Sequence, residues 1–344
     1  MMTLSIVAVA MSNFIPPFDA HRVFIAPWTQ PGDGFLWIVL MGFLVATACG
    51  LVGNYLILRR MALVGDAISH SILPGIAVAF LLSGSRGSLP MFIGALVAGA
   101  VTTVLIEVIH TKSRVKQDAA IGIAFTSLFA VGVILISLFA SKVDLDQECV
   151  LYGEIAFIPL EGMVEFAGLT LGPPSVVRMA LVTLVVVLLV GLFYKELLVS
   201  SFDPALSFSL GINSTFVHYA LMAMLSVVVV SAFEAVGAIL VIDMLILPGA
   251  TATLLSNRFP VMLGLTVLHA ALSAVLGLHL GVWLDCSLAA AMVVAATGLF
   301  VLAWVFAPEQ GLVSRLRKAR SPEAAVLAVS TIACASAGVL PSGR

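Results

Sequence analysis

An aspartate and a histidine stand four residues apart in Gly65-Asp66-Ala67-Ile68-Ser69-His70-Ser71-Ile72-Leu73-Pro74-Gly75, and the apolar run Ile72 to Leu82 follows directly. Four residues is about one helical turn, so the carboxylate of Asp66 and the imidazole of His70 share a face. The pair lies within or at the mouth of a bilayer-spanning helix; near the bilayer centre a charged side chain costs about 2.5–3.5 kcal/mol and is kept mainly where a polar cavity receives it. An oxygen and a neutral imidazole nitrogen together suit Zn, Mn or Fe(II), so the pair reads as a transient metal site. The competing account is an Asp–His hydrogen bond that holds helices together. Ser69 and Ser71 are expected to bond backbone carbonyls. Pro74 and Gly75 are expected to break or kink the helix, freeing carbonyls that line a cavity.

Two more acids lie deep in apolar surroundings, Glu234 and Asp243. At about 100° per residue they face opposite sides of a continuous helix, and they line one path only if the chain turns near Gly237. Glu234, near the outer end, is a candidate cation guide and metal ligand. Asp243 is a candidate path residue and metal ligand, set against a buried hydrogen bond to a partner helix. His269 and His279 do not share a face and read as interior histidines bonded to neighbours. Glu107 and His110 would either receive an exiting ion or form a solvated helix end. Asp118 reads as a helix cap, with a charge contact to a partner subunit as the alternative.

The elements that hold these residues follow from composition. The chain has 344 residues, 61% hydrophobic and 10% charged, with a mean hydropathy of +1.18. That places it in the polytopic membrane class and excludes a soluble globular domain. Four cysteines, Cys49, Cys149, Cys286 and Cys334, have no paired spacing and form no recognisable zinc set. A Cys149–Cys286 bridge is open, since both fall in predicted outside loops. Apolar runs of spanning length lie near 35–58, 62–82, 90–109, 119–140, 176–194, 216–234, 236–255, 260–284 and 287–307. The fold class is therefore an all-α polytopic membrane protein with about nine transmembrane helices.

Basic residues orient these spans. Arg59-Arg60, Lys112, Arg114 and Lys116, Lys195, Arg258, and Arg315 to Arg320 all fall on one side when nine spans are counted. That side is expected to be the cytoplasm, with the N-terminus outside. Three regions follow: an extracytoplasmic extension (1–34), a transmembrane domain (35–310), and a basic segment with a tail (311–344). Leu4 to Met11 is too short to span, and Ala324 to Leu340 is too weakly apolar to count as a tenth span. The outside segment Ser141 to Ser175 carries Asp144, Asp146, Glu148, Glu154, Glu161 and Glu165. It is either an acidic rim that concentrates cations or an ordinary solvated loop. The inside segment Lys195 to Ser214 is expected to form a short helix capped by Asp203, with Pro204 first and Gly211 at its end. Such a helix between two spans looks like a docking element.

The segment Arg59 to His70, ending in Leu73-Pro74-Gly75, resembles the hallmark of metal-chelate-type ABC importer permeases, the membrane subunits of bacterial zinc, manganese and iron uptake systems. Three further blocks match in order: Gln117-Asp118-Ala119-Ala120-Ile121-Gly122-Ile123; Phe202-Asp203-Pro204 with Gly211-Ile212-Asn213; and Val236 to Val241 followed by Leu245 to Ala252. The resemblance runs from about Phe35 to Arg320. It implies a permease in the bacterial inner membrane that pairs with a second permease subunit, identical or sibling, in contact with membrane lipid. A cytoplasmic ATP-binding subunit would dock on the coupling region formed by Phe202, Asp203, Pro204 and Gly211. An extracytoplasmic metal-binding protein would deliver the ion. It implies no chemistry by the chain, no permanently bound cofactor and no nucleic acid. The chain indeed has no G-x-x-x-x-G-K-[ST] loop.

Three alternatives remain at this point. A permease for organic metal chelates needs a wider path and gives no reason for the Asp/His pair. An ion-coupled secondary transporter would use Asp66 and His70 as a proton relay but does not require the Phe202 to Gly211 helix. An intramembrane metalloenzyme would need more ligands, and no H-E-x-x-H pair is present.

Overall fold

The structure, a computed structural model, describes residues 16–29, 34–84, 88–139, 155–166, 169–308 and 311–314. Among the described residues, eight helices are long and apolar enough to cross a membrane, and a shorter apolar helix, Ile239–Leu255, continues one of them. The expected nine spans thus appear as eight of full length and one short one. In chain order the helices are α1 (Phe35–Leu58), α2 (Val64–Ser83), α3 (Ser88–Lys112), α4 (Gln117–Phe139), α5 (Pro174–Leu192), α6 (Tyr194–Phe202), α7 (Pro204–Ser209), α8 (Ser214–Leu255), α9 (Phe259–Leu284) and α10 (Leu288–Phe306).

Helix α1 is the axis of the bundle. Met41, Val45, Ala46, Ala48, Cys49, Val52, Tyr55 and Leu56 on it are all fully buried. It packs on α8, α9 and α5, while α2 packs on α3 and α4. Helices lack a hydrophobic drive toward one another in lipid, so small residues that admit close backbone contact do the packing. Gly53 shows this, because a Cβ there would overlap the Leu245 carbonyl of α8.

One feature differs from expectation and a second meets a condition that the sequence set. Helix α2 runs unbroken from Val64 to Ser83 through Pro74 and Gly75. The glycine serves contact with α3 instead of a break, since a Cβ at Gly75 would overlap the Gly94 carbonyl. Pro74 still has no N–H to give to the His70 carbonyl. Helix α8 turns at Gly237 (φ 80°, ψ 168°), a backbone state open essentially to glycine alone. This is the turn that the Glu234–Asp243 spacing requires.

The segment expected to be a single cytoplasmic helix forms two. Helix α6 follows α5 after one residue, and α7 follows at a sharp elbow. Asp203 at that elbow accepts hydrogen bonds on Oδ1 from the N–H groups of Ala205 (2.9 Å) and Leu206 (3.0 Å). Pro204 takes the first helical position, and Gly211 beyond the end has φ 79°. Asn213 Oδ1 then caps α8 by accepting from Phe216 N–H at 3.1 Å.

Asp144, Asp146, Glu148, Glu154, Cys149 and Cys334 lie outside the described residues, as do the tails 1–15 and 315–344. Of the remaining acids in the outside segment, Glu165 sits in a short antiparallel hairpin, Val164–Phe166 with Leu169–Gly172. Glu161 accepts hydrogen bonds from Ser175 N–H (3.1 Å) and Oγ–H (2.6 Å) at the start of α5. Its role is therefore a helix start, not an unengaged rim charge.

A candidate metal site and a coupling elbow

Asp66 lies in the first turn of α2, where the helix dipole favours a carboxylate. That first turn is sunk within the bundle. Gly65 beside it packs against Leu225 and Leu245 of α8, each about ten residues, or roughly 15 Å at helical rise, from an end of that element. His70 stacks one turn above, its Nε2 3.2 Å from Asp66 Oδ1. The two side chains are 31% and 34% exposed, so the pair opens onto free space while its stems are held by packing. Phe125 and Phe129 of α4 flank the imidazole with ring centroids at 5.9 and 6.0 Å. Ser69 Oγ–H donates to the Gly65 carbonyl (3.0 Å) and Ser71 Oγ–H to the Ala67 carbonyl (2.6 Å), as expected.

The other deep acids are not brought to this pair. Glu234 faces Arg178 of α5, whose Nη1 is 3.1 Å from Oε2 and donates to Oε1 at 3.2 Å. Arg178 itself lies 5.8 Å above the Phe92 ring. A carboxylate balanced by a guanidinium is a weaker cation guide than a bare one. Asp243 sits beyond the Gly237 turn, and its buried Oδ2 has no hydrogen-bond partner. Among the described residues, no three His, Cys, Asp or Glu side chains converge as a metal site.

The two histidines of α9 are bonded to neighbours. His269 Nε2 is 3.3 Å from the Ala296 carbonyl. His279 Nδ1 is 2.8 Å from the Val23 carbonyl, its ring against Phe24 and Trp28 at 5.1 and 6.0 Å. His279 thus ties the N-terminal helical stretch 21–29 to α9. Asp118 occupies the first turn of α4.

A second constellation is not legible as a cluster in the sequence, where Arg59 stands only as a basic topology marker and as the first residue of the hallmark segment. Arg59 at the end of α1 meets Ser200 and Ser201 of α6 and His218 of α8, and His218 meets Glu107 of α3. Its signal in the sequence is His218, an ionisable residue one turn into an apolar span. Around α7 the structure exposes Phe202 (65%), Phe208 (82%) and Phe216 (71%). Three exposed aromatics beside a capped helix make a face suited to a protein partner.

Residues 33–307 match the family described as the ABC 3 transport family. The chain is 44% identical over 279 residues to a manganese transport system membrane protein, MntD, of Bacillus subtilis, covering 81% of this chain and 94% of that one. It is 43% identical over 278 residues to a zinc transport system membrane protein, TroD, of Treponema pallidum, covering 81% and 75%. Among solved structures, PsaBC from Streptococcus pneumoniae in complex with Fab superposes with a TM-score of 0.68 at 34% identity, covering 85% of this chain and 97% of that one. A membrane-length bundle matched along nearly its whole described extent leaves one assignment: this multi-pass chain belongs to the ABC 3 transport family.

Proposed function

We propose that this chain is the membrane-spanning permease of an ATP-driven importer for a divalent transition metal, manganese or zinc, in the bacterial cytoplasmic membrane. The observation that carries the reading is the Asp66–His70 pair, two metal-suited ligands on one face, sunk in the bundle and opening onto free space. The relatives named above are manganese and zinc systems, and nothing comparable supports iron. Family membership also removes the support for a secondary carrier.

Two ligands are too few to hold such an ion through dehydration. A second permease subunit facing α2 would supply two more if it carries the same pair. Four oxygen and nitrogen donors, with the His70 carbonyl that Pro74 leaves without its helical donor, then form a site of suitable chemistry. The ATP-binding subunit would dock on α7 and its exposed phenylalanines, and an extracytoplasmic protein would deliver the ion to the opposite face.

Uptake of labelled manganese and zinc in cells co-expressing this chain with its ATPase and binding protein tests the reading. One of the two metals should accumulate only with an active ATPase. Asp66→Ala/His70→Ala should abolish that uptake while the complex still assembles. Uptake that survives ATPase inactivation and follows the proton gradient would sink it.

A further inference from the structure

The network at the end of α1 joins four elements through two side chains, Arg59 and His218. Arg59 Nε donates to Ser201 Oγ (3.0 Å) and Nη2 to Ser200 Oγ (2.8 Å). Nη1 lies 3.1 Å from His218 Nδ1, and His218 Nε2 lies 3.4 Å from Glu107 Oε2. A guanidinium only donates, so His218 Nδ1 must accept. The imidazole is then neutral, with its proton on Nε2, where it donates to Glu107. The serines obey the same accounting. Ser200 and Ser201 each donate their hydroxyl hydrogen to the Leu197 carbonyl, at 3.3 and 2.6 Å, and so turn lone pairs toward Arg59. Each hydrogen in the cluster is used in one direction.

This order leaves one Glu107 oxygen engaged as the acceptor from His218. Both imidazole nitrogens are committed, one as acceptor from a cation and the other as donor. A metal arriving at the ring would meet a guanidinium about 3 Å from it, and like charges repel.

What the cluster does follow mechanically is the elbow. Helix α6 carries both serines, and α7 continues from it at Asp203, whose N–H donates to the Val199 carbonyl (2.9 Å) while its carbonyl accepts from Ser207 N–H (3.0 Å). A displacement of α7 therefore moves α6 as one piece. Helices α1 and α8 meet α6 at a single planar fork, and α3 is tied to it through His218. Burial pulls the guanidinium's pKa below the ordinary arginine value, yet it keeps its proton, so the fork stays charged throughout. Arg60, next in the chain, holds a left-handed backbone (φ 58°), so the turn leading to α2 and Asp66 is fixed directly behind Arg59.

We propose that Arg59 is the positioning residue that transmits movement of the α6–α7 elbow to α1, α3 and α8, and so couples ATP hydrolysis to opening of the metal path. This rests on the permease reading above. The chain is reconstituted in liposomes with its ATPase, the second permease subunit and the metal-binding protein, and both ATP hydrolysed and manganese or zinc imported are counted. Arg59→Lys keeps the charge but replaces a rigid three-way fork with a single ammonium. It should hydrolyse ATP and bind metal with an unchanged half-saturation, while metal imported per ATP falls roughly tenfold, a typical coupling loss. Ser200→Ala/Ser201→Ala, which leaves α6 in a favoured helical composition, should lower the same ratio by a smaller factor. It serves as the readout if Arg59→Lys does not assemble.

An unchanged ratio in an assembled Arg59→Lys complex overturns the proposal, as does a ratio that the serine pair leaves at the wild-type value. If the wild-type complex itself imports no metal on ATP, the permease reading has failed instead. The two failures are therefore separable.

Discussion

At Asp66 and His70 the observed contact and the proposed metal site would share one geometry. The 3.2 Å contact orients the imidazole along the helix face, and on the permease reading proposed above an incoming dication would take the place of the proton between the same two atoms. Asp66→Asn keeps an oxygen for the hydrogen bond but removes the charge that stabilises a dication. Its maximal uptake should fall by one to two orders of magnitude, about the loss seen when a metal site's support is removed, with complex yield unchanged. Normal uptake in Asp66→Asn would reduce the pair to a helix tie. Glu234 makes the opposite case. Its partner Arg178 is a third exposed, so the pair is screened and worth about 0.2–1 kcal/mol. A double-mutant cycle on Arg178→Ala and Glu234→Ala, read by thermal unfolding in detergent, should give coupling within that range. A much larger value would make the bridge a structural clamp between α5 and α8.

The helices divide into those announced by composition and those shaped by contact. Apolar runs and basic clusters make the spans legible, because lipid forces every spanning backbone to satisfy itself within a helix. The Asp203 cap and the Gly211 terminus are equally readable, since capping chemistry is local. Less readable is anything decided by a neighbour. Pro74-Gly75 suggests a break, yet α2 stays continuous because Gly75 is used against Gly94 of α3. Glu234 looks like a path residue until Arg178, 56 residues earlier, is found beside it. The Arg59 fork depends on three elements far apart in sequence and leaves almost no local trace. Gly237 was identifiable only through the argument that two acids need a turn. Its conformation (φ 80°, ψ 168°) should make Gly237→Ala cost about 1–3 kcal/mol, seen as a lowered unfolding midpoint in detergent. An unchanged midpoint would mean that the turn relaxes without strain.

Seen whole, the molecule is inverted relative to a water-soluble protein. Leu82 is 84% exposed, Leu138 68% and Phe306 70%, a pattern that needs hydrocarbon as its solvent. Its two ends differ in charge. The fork gathers the ends of α1 and α3, the start of α8 and the elbow at one end, alongside Lys112, Arg114, Lys116 and Lys195. Cys286, exposed between α9 and α10, lies at the other end of α9 from Arg258. The excess of basic residues should hold the fork end in the cytoplasm, which is also where an ATPase must meet α7. Replacing Cys49, Cys149 and Cys334 by Ser leaves Cys286 as a single reporter, and Ser209→Cys with Cys286→Ser places one on α7. A membrane-impermeant maleimide should label Cys286 in intact spheroplasts and the Ser209→Cys protein only in inverted vesicles. The reverse pattern would put the elbow outside, out of reach of ATP, and the permease reading would fall with the orientation.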